Sequence, residues 1–262
     1  IRGEMIIMIR LLLTKFKNIL LLLIIGAMVV STTSYSNAKG TEFINIKVQQ
    51  TMSIQQREHE VIIRAGEYQG KAGKRIYVNN STVKLPNDIP VRNDNDGQGF
   101  YVSEWDINVK EAKALVEKLQ ARGINAKLQI ATTKSEDLNA AGRIANKSNP
   151  YLYVSVHHNY YDSNSTGYFS MYNAGDAVGK AMANRLSNAI KDNGMVPQRE
   201  ARANDGYIGE LNVINKTTIP VLLELGFFSN LEELEKICSD AYVHNVTTKL
   251  ANEIANIIKE SK

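Results

Sequence analysis

Short apolar runs alternate with amphipathic stretches along the chain from residue 61 onward. A β-branched or aliphatic run between polar segments is typical of a buried strand, and apolar residues three or four positions apart are typical of a helix. Strands are predicted at 61–63, 126–130, 152–156, 168–172 and 219–223. Helices are predicted from Ser103 to the turn at Gly123, at 137–146, at 178–190, and along the stripe Val243, Val246, Leu250, Ile254 and Ile257.

Two stretches lack this periodicity. Residues 65–102 are polar and rich in Asn, Asp and Gly, which indicates functional loops or partly ordered hairpins. No element is predicted between 190 and 219, where the mixed charges at 199–202 indicate a solvated loop. Elsewhere the alternation of strands and helices predicts an α/β fold in a single domain, with a mostly parallel sheet and helices on both faces.

The N-terminal part of the chain differs from the rest. Arg10, Lys15 and Lys17 precede the apolar run 19–30, which is short for a bilayer crossing and typical of an export signal. Small residues at 36 and 38 fit cleavage after Ala38, whereas the leucines at 11–13 lengthen the segment and favour an uncleaved anchor. Residues 1–38 are therefore predicted to be a signal peptide or membrane anchor, 39–58 a linker, and 59–262 one exported domain.

The composition of the chain excludes several kinds of structure and function. The chain has 262 residues, 44% of them hydrophobic and 22% charged, which is enough to bury one sizeable core. Its single cysteine, Cys238, excludes an internal disulfide and a cysteine-based zinc cluster. Most of the net charge of +4 comes from residues 1–38, and 39–262 carry 27 basic against 26 acidic residues. A nearly neutral body gives no electrostatic reason to expect nucleic acid as a partner.

Residues able to carry chemistry follow three of the predicted strands. Glu67, His157 and Glu224 come at or just after strand ends, and Glu104 opens a helix. Ligands of open α/β sheets bind beyond the carboxyl ends of the strands, so these side chains are expected to converge there. A hydrolytic metal site needs about three protein ligands and a further carboxylate that moves protons.

Each of these residues also has a structural interpretation. His157 fits a hydrogen-bonded structural histidine, and Glu104 fits a carboxylate that serves the helix dipole. Glu224 is harder to explain in that way, because a carboxylate directly after the apolar run 220–223 is costly to bury unless something uses it.

Four segments resemble the zinc-dependent N-acetylmuramoyl-L-alanine amidases of the Amidase_3 family. They are SEWDINV at 103–109, residues 138–146, SVHHN at 155–159 and PVLLELGFFSN at 220–230, in the family's order. The resemblance spans about residues 60–258 and makes 59–262 an amidase-like catalytic domain. It implies that Glu224 is the catalytic glutamate, that His157 and Glu104 are zinc ligands, and that the substrate is the amide between N-acetylmuramic acid and L-alanine.

One position departs from the family pattern. The family's first zinc ligand is the histidine of Asp-Pro-Gly-His-Gly-Gly, whereas this chain reads RAGEYQG at 64–70, with Gly66 kept and Glu67 in the histidine position. Either Glu67 binds zinc through a carboxylate oxygen, and a second anionic ligand makes the bound water less acidic, or the site holds metal poorly.

The remaining histidines do not offer a ready substitute for the missing ligand. His59 precedes the first strand and His244 falls in the last helix. His158 is adjacent to His157, and neighbouring side chains of an extended chain point to opposite faces.

Asn159, Tyr160 and Tyr161 are the candidate substrate-binding residues. The two tyrosines are predicted in a loop, where their rings can stack on sugars, whereas Asn159 also fits a hydrogen-bonding brace for the histidine segment.

The resemblance implies peptidoglycan as partner, zinc as cofactor, and a location in the cell wall or on the outer face of the cytoplasmic membrane. Membrane contact is expected only through the N-terminal segment, and the identity of any protein partner stays open. Two other functions stay open as well: a non-catalytic peptidoglycan-binding or regulatory domain on the same fold, and a zinc hydrolase of another amide.

Overall fold

A computed structural model describes residues 59–69, 75–78, 83–94, 99–136, 138–195 and 200–261. These residues belong to the second of two units into which the chain divides, Arg57–Lys262. The predicted signal or anchor, 1–38, and linker, 39–58, lie outside the described residues. Within the described ranges, every helix is too short or too polar to cross a membrane.

The described chain alternates strands and helices. The strands are β1 (Val61–Tyr68), β2 (Arg75–Val78), β3 (Arg92–Asp94), β4 (Gly99–Ser103), β5 (Ala126–Ala131), β6 (Leu152–Asn159), β7 (Phe169–Asn173), β8 (Arg202–Asn204) and β9 (Ile219–Phe227). The helices are α1 (Glu104–Gln120), α2 (Leu138–Ala145), α3 (Ala177–Ala189), α4 (Gly209–Asn212), α5 (Leu231–Cys238) and α6 (Asp240–Glu260), with a 3-10 turn at Lys134–Glu136.

The main sheet has the strand order β5-β1-β6-β9-β7-β8. Strands β5, β1, β6 and β9 are parallel to one another, β7 is antiparallel to β9, and β8 is parallel to β7. The central strands are continuous apolar runs because both of their faces are covered. The predicted α/β fold with a mostly parallel sheet is therefore confirmed.

Side chains of the central strands alternate between two cores. Val61, Ile63 and Ala65 of β1 belong to the larger core, which also contains apolar residues of α1, α3, α5 and α6. Ile62 belongs to a smaller cluster on the opposite face, together with Ala145 at the end of α2. The predicted helices on both faces are thus present, with the thicker layer on the α1 and α6 side.

The polar stretch 65–102 contains a second sheet. Strands β2, β4 and β3 pair in that order, both pairs antiparallel, so the partly ordered hairpin interpretation is correct. The guanidinium of Arg75 stacks on the Tyr101 ring at 4.4 Å, which ties β2 to β4. Strand β4 then leads directly into α1.

The start of α1 is fixed as its sequence predicts. The Ser103 side chain accepts a hydrogen bond from the Asp106 backbone N–H at 3.3 Å and donates one to the Asp106 carboxylate at 2.6 Å. Arg92 of β3 contacts the same carboxylate at 2.9 Å. Burial nevertheless raises the pKa of Asp106 above its usual value, against the lowering effects of Ser103 and Arg92. This cap places Glu104 in the first turn of the helix.

Two predictions from the sequence need correction. Strands β1, β6 and β9 extend beyond the predicted 61–63, 152–156 and 219–223, so Glu67, His157 and Glu224 lie within strands and do not follow them. Arg202, expected in a solvated loop at 199–202, is exposed as expected, but it begins strand β8 and its guanidinium lies 5.7 Å from the Phe169 ring. Strand β8 forms because β7 offers it a pairing edge, which local sequence does not reveal.

Replacing Leu250 by Ala should test whether α6 holds the larger core together. Leu250 is fully buried in that core, so the substitution should lower the free energy of unfolding by about 2–5 kcal/mol. Asn256→Ala, on the exposed side of the same helix, should change it by less than about 0.5 kcal/mol. Urea unfolding followed by circular dichroism measures both, and equal effects would contradict the packing described.

Candidate metal centre

The predicted convergence of Glu67, Glu104 and His157 is present. One ligand atom from each residue lies within 4.8 Å of the other two, and all three side chains are buried. Glu67 and His157 come from the ends of the neighbouring parallel strands β1 and β6, and Glu104 from the first turn of α1. Glu224 of β9 is the register partner of His157 on the next strand.

A bulge aims Glu67 into this cluster. Pairing of β1 with β5 is regular up to Ala65 and resumes at Tyr68, so Gly66 and Glu67 fall in an irregularity of the strand. Strict alternation would place Glu67 on the same face as Ala65, which faces the larger core. The backbone of Glu67 instead has φ of 63°, a conformation that costs a non-glycine residue about 1–2 kcal/mol.

Arg64 holds the backbone of the bulge. Its guanidinium is fully buried, and Nη2 donates a hydrogen bond to the Glu67 carbonyl at 2.9 Å. The same nitrogen lies 3.4 Å from the carbonyl of Glu136 in the 3-10 turn. A charge-assisted hydrogen bond of this kind offsets part of the strain at Glu67.

Gly66 allows the ring of His157 to pack closely against the backbone of β1. A Cβ atom built on Gly66 would lie 2.4 Å from the imidazole ring of His157, closer than any side chain tolerates. The glycine is therefore needed for the close approach of the ring to the backbone, and an alanine here would displace the metal-ligand candidate.

Two carboxylates flank the His157 ring. Nδ1 lies 3.0 Å from Oε1 of Glu104, and Nε2 lies 3.5 Å from Oε1 of Glu210 in α4. Burial by itself lowers the pKa of His157, but the nearby carboxylates of Glu104 and Glu210 outweigh it and hold the pKa well above its usual value. The surroundings of the ring thus favour positive charge.

The donor set suits a divalent cation. Zinc accepts imidazole nitrogen and carboxylate oxygen in sites with three protein ligands and one open position, and this cluster supplies two carboxylates and one imidazole. Buried carboxylates in such proximity repel one another unless a cation or protons compensate them. The oxygen-rich set also suits harder ions such as manganese.

On the opposite face of β6, His158 takes part in a separate buried network. Its Nδ1 is 2.8 Å from Oδ1 of Asn108, whose amide nitrogen donates to the Gly66 carbonyl at 3.1 Å and to Glu104 at 3.2 Å. Because that nitrogen donates, Oδ1 accepts and Nδ1 of His158 carries the hydrogen. Nε2 of His158 lies 3.5 Å from Oε1 of the buried Glu111.

This network braces Glu104 from the helix side, and His158 is not part of the metal cluster, as alternation predicts. The other two histidines also lie elsewhere. His59 packs against the Tyr151 ring at 5.3 Å before β1, and His244 is exposed on α6.

A cleft of about 860 Å³ opens over the cluster. Its lining includes Glu67, His157 and the partly buried Glu224. The predicted substrate-binding residues Asn159, Tyr160 and Tyr161 also line it, with Tyr161 74% exposed. Asn159 closes β6 and accepts a hydrogen bond from the Tyr160 backbone N–H at 2.8 Å, which agrees with its interpretation as a brace.

Three buried charged residues near the site, Arg64, Glu111 and Glu210, were not predicted from the sequence. Arg64 interrupts the apolar run of β1, and a charge within such a run is itself a signal of special use. Glu111 continues the helical spacing of Asn108 and Leu115, so its burial could have been read from the stripe. Glu210 lies in a segment without a predicted element, and nothing in its local sequence points to the site.

The structure thus combines an open α/β sheet with a buried cluster of three residues that could hold a metal ion. The family Amidase_3, described as N-acetylmuramoyl-L-alanine amidase, matches residues 92–256, and the chain belongs to it. It is accordingly an amidase of peptidoglycan, a hydrolase of the bond between N-acetylmuramic acid and L-alanine. The match begins after β1, so Glu67 lies outside the matched residues.

Solved structures of such amidases share the fold. The catalytic domain of CwlV from Bacillus (Paenibacillus) polymyxa var. colistinus is 19% identical, with a TM-score of 0.59 over 77% of this chain and 98% of that one. An N-acetylmuramoyl-L-alanine amidase from Clostridium difficile 630 is 19% identical, with a TM-score of 0.56 over 77% and 97%. CwlD from Clostridioides difficile, in complex with the GerS lipoprotein, is 19% identical, with a TM-score of 0.58 over 77% and 99%. No curated protein sequence matches the chain.

The hydrogen-bond network around His158 is expected to contribute to the stability of the folded chain. The Glu111→Ala substitution removes the carboxylate that faces Nε2 of the fully buried His158. The free energy of unfolding should therefore fall by about 3 kcal/mol. Glu117→Ala removes an exposed carboxylate from the same helix and should change it by less than about 0.5 kcal/mol. Chemical unfolding of the two variants provides the comparison, and a neutral Glu111→Ala would show that the pair adds nothing.

Proposed function

We propose that Glu67, Glu104 and His157 hold a zinc ion and that Glu224 is the catalytic glutamate of the amidase. The observation that carries this proposal is the convergence of three metal-ligating atoms within 4.8 Å on the floor of a cleft that Glu224 also lines. The bound zinc would polarise the scissile carbonyl and make the attacking water more acidic.

Glu224 is placed for proton transfer. It is the register partner of His157, it shares the cleft with Glu67 and His157, and it is not one of the three clustered ligand candidates. In the proposed reaction its carboxylate takes a proton from the attacking water and delivers that proton to the departing nitrogen of L-alanine. One C–N bond breaks and one C–O bond forms, so the products are a carboxylate and a free amine.

Glu67 makes this centre more anionic than a centre with a second histidine. Two carboxylate ligands neutralise the formal charge of a divalent ion, so the water bound to it is less acidic and the carbonyl is polarised less. We therefore expect the rate of cleavage to reach its maximum at a higher pH than in a centre with two imidazoles.

The proposed substrate-binding residues lie along the cleft wall. Tyr160 packs its ring against Phe228 at a centroid distance of 5.2 Å and stays 44% exposed, and Tyr161 is more exposed still. Exposed aromatic rings beside a hydrolytic centre suit stacking on the apolar faces of sugar rings. Asn159, between them and His157, holds the chain that carries both tyrosines.

Because the substrate is peptidoglycan, we propose that the chain acts in the cell wall or on the outer face of the cytoplasmic membrane. Membrane contact would come only from the N-terminal segment 1–38, proposed to be a signal peptide or membrane anchor, and nucleic acid is not proposed as a partner. The complex of the CwlD neighbour with the GerS lipoprotein is a precedent for a protein partner.

Glu224→Gln should abolish cleavage while leaving the metal content unchanged. Loss of the proton-transferring carboxylate should lower kcat by about 10²–10⁴-fold on a muropeptide, measured by the release of the stem peptide. Glu232→Gln, an exposed carboxylate on α5, is the matched control and should keep full activity. A fully active Glu224→Gln would contradict the assigned role.

Assays of ordinary peptides and defined muropeptides side by side distinguish the amidase from the two alternative functions. Cleavage of the peptides alone would indicate a zinc hydrolase of another amide. Tight binding to wall fragments without cleavage by the wild-type chain would indicate a domain that has lost its chemistry.

Glu67→Ala should remove the metal. The purified chain is expected to retain about one zinc per molecule after dialysis, and the variant, which lacks one of three ligands, should retain much less. Elemental analysis measures both. The exposed Lys134→Ala in the adjacent turn is a control for handling losses, and undiminished zinc in Glu67→Ala would exclude Glu67 as a ligand.

A further inference from the structure

A buried carboxylate outside the four segments that resemble the family faces the metal-ligand candidate His157. Glu210 is fully buried, and its Oε1 lies 3.5 Å from Nε2 of His157. Within the described part of the chain, neither Glu210 oxygen nor Nε2 of His157 has a hydrogen-bond partner. Burying such groups without partners is costly, and a hydrogen bond between the two facing groups would satisfy both.

The position of Glu210 is fixed by its surroundings. The backbone N–H of Ile208, just before α4, donates to Oδ1 of Asn204 at 2.7 Å, and the Asn204 amide donates to Asn212 at 3.0 Å. The Glu210 carbonyl lies so close to Gly142 of α2 that a Cβ atom there would be 2.8 Å away. Hydrogen bonds on one side and close helix contact on the other thus hold α4 in place beneath the sheet.

Glu210 and Arg64, two residues of opposite charge, both act on the buried side chain of Tyr153. Tyr153 is fully buried, and its pKa is raised well above its usual value, first by burial and then by the negative charge of Glu210, while Arg64 acts in the opposite direction. Glu210 and the guanidinium of Arg64 therefore both act on the same buried phenol.

The two nitrogens of His157 have different surroundings. Nδ1 lies 3.0 Å from Glu104, which belongs to the cluster of three ligand candidates. Nε2, on the opposite side of the ring, faces Glu210, which is outside that cluster. A histidine that binds metal through one nitrogen commonly donates the hydrogen of its other nitrogen to a carboxylate, which fixes the tautomer and the ring orientation.

We propose that Glu210 is a positioning residue of the metal centre: its carboxylate accepts the Nε2 hydrogen of His157 and leaves the Nδ1 lone pair for the cation. This inference rests on the proposed metal centre formed with Glu67 and Glu104. At 3.5 Å the contact is longer than a typical hydrogen bond, so the two groups would have to move slightly closer for the hydrogen bond to form.

Zinc affinity of the Glu210→Gln variant tests the proposal. The amide keeps the size of the side chain and removes its charge, so affinity measured by equilibrium dialysis of the full chain should fall about 10–100-fold. Glu60→Gln is the matched control, because Glu60 is also buried but pairs with Lys127 at the other end of β1. Its zinc affinity should equal that of the unaltered chain, and circular dichroism checks that both variants are folded.

Imidazole ¹H–¹⁵N spectra of the zinc-loaded chain show which ring nitrogen of His157 carries the hydrogen. A purely structural role of Glu210 would not determine this property. Nε2 of His157 is expected to carry the hydrogen, and Nδ1 to be bound to zinc. Zinc on Nε2 would overturn the proposal and make Glu210 a candidate ligand, and so would unchanged affinity in Glu210→Gln. An unaltered chain that binds no zinc would overturn the metal centre itself, a result distinct from the failure of Glu210 alone.

Discussion

The parallel pairing of β1, β6 and β9 is the constraint on which the rest of this structure depends. Pairing Ala65 with Val156, and His157 with Glu224, brings the carboxyl ends of three strands to one edge of the sheet. Apolar layers cover both faces of these strands, so a shift of the register would expose buried residues along each of them. Hydrophobic burial thereby holds polar side chains together that would not associate by themselves.

Electrostatics then limits what this edge can contain. Glu67, Glu104 and Glu210 are buried around a single histidine, and the buried guanidinium of Arg64 contacts the Glu67 carbonyl. A divalent cation relieves the repulsion among the carboxylates and is compatible with the strained backbone of Glu67. In the proposed centre, the carboxylate in place of a histidine would therefore change the charge of the site while still supplying a ligand atom.

Both faces of the sheet support His157 and Glu104. On the α1 side, Glu111, His158 and Asn108 form a chain of contacts that ends on the Glu104 carboxylate. On the other side, α4 presents Glu210 to the histidine ring. Ligands held from two directions lose little conformational freedom when a cation binds, which is the physical basis of a preorganised site.

Local sequence determined those features that depend on neighbours along the chain. The start of α1 at Ser103, the strand and helix alternation, and the candidates Glu104, His157 and Glu224 could all be predicted, because caps, periodicity and short motifs act over a few residues. Tertiary structure alone decided the pairing of β8, the bulge that aims Glu67 away from the larger core, and the contact between Glu210 and His157, which are separated by 53 positions in the chain. Such contacts depend on strand register and on the packing of distant segments, and the residues next to Glu210 in the sequence carry no record of them.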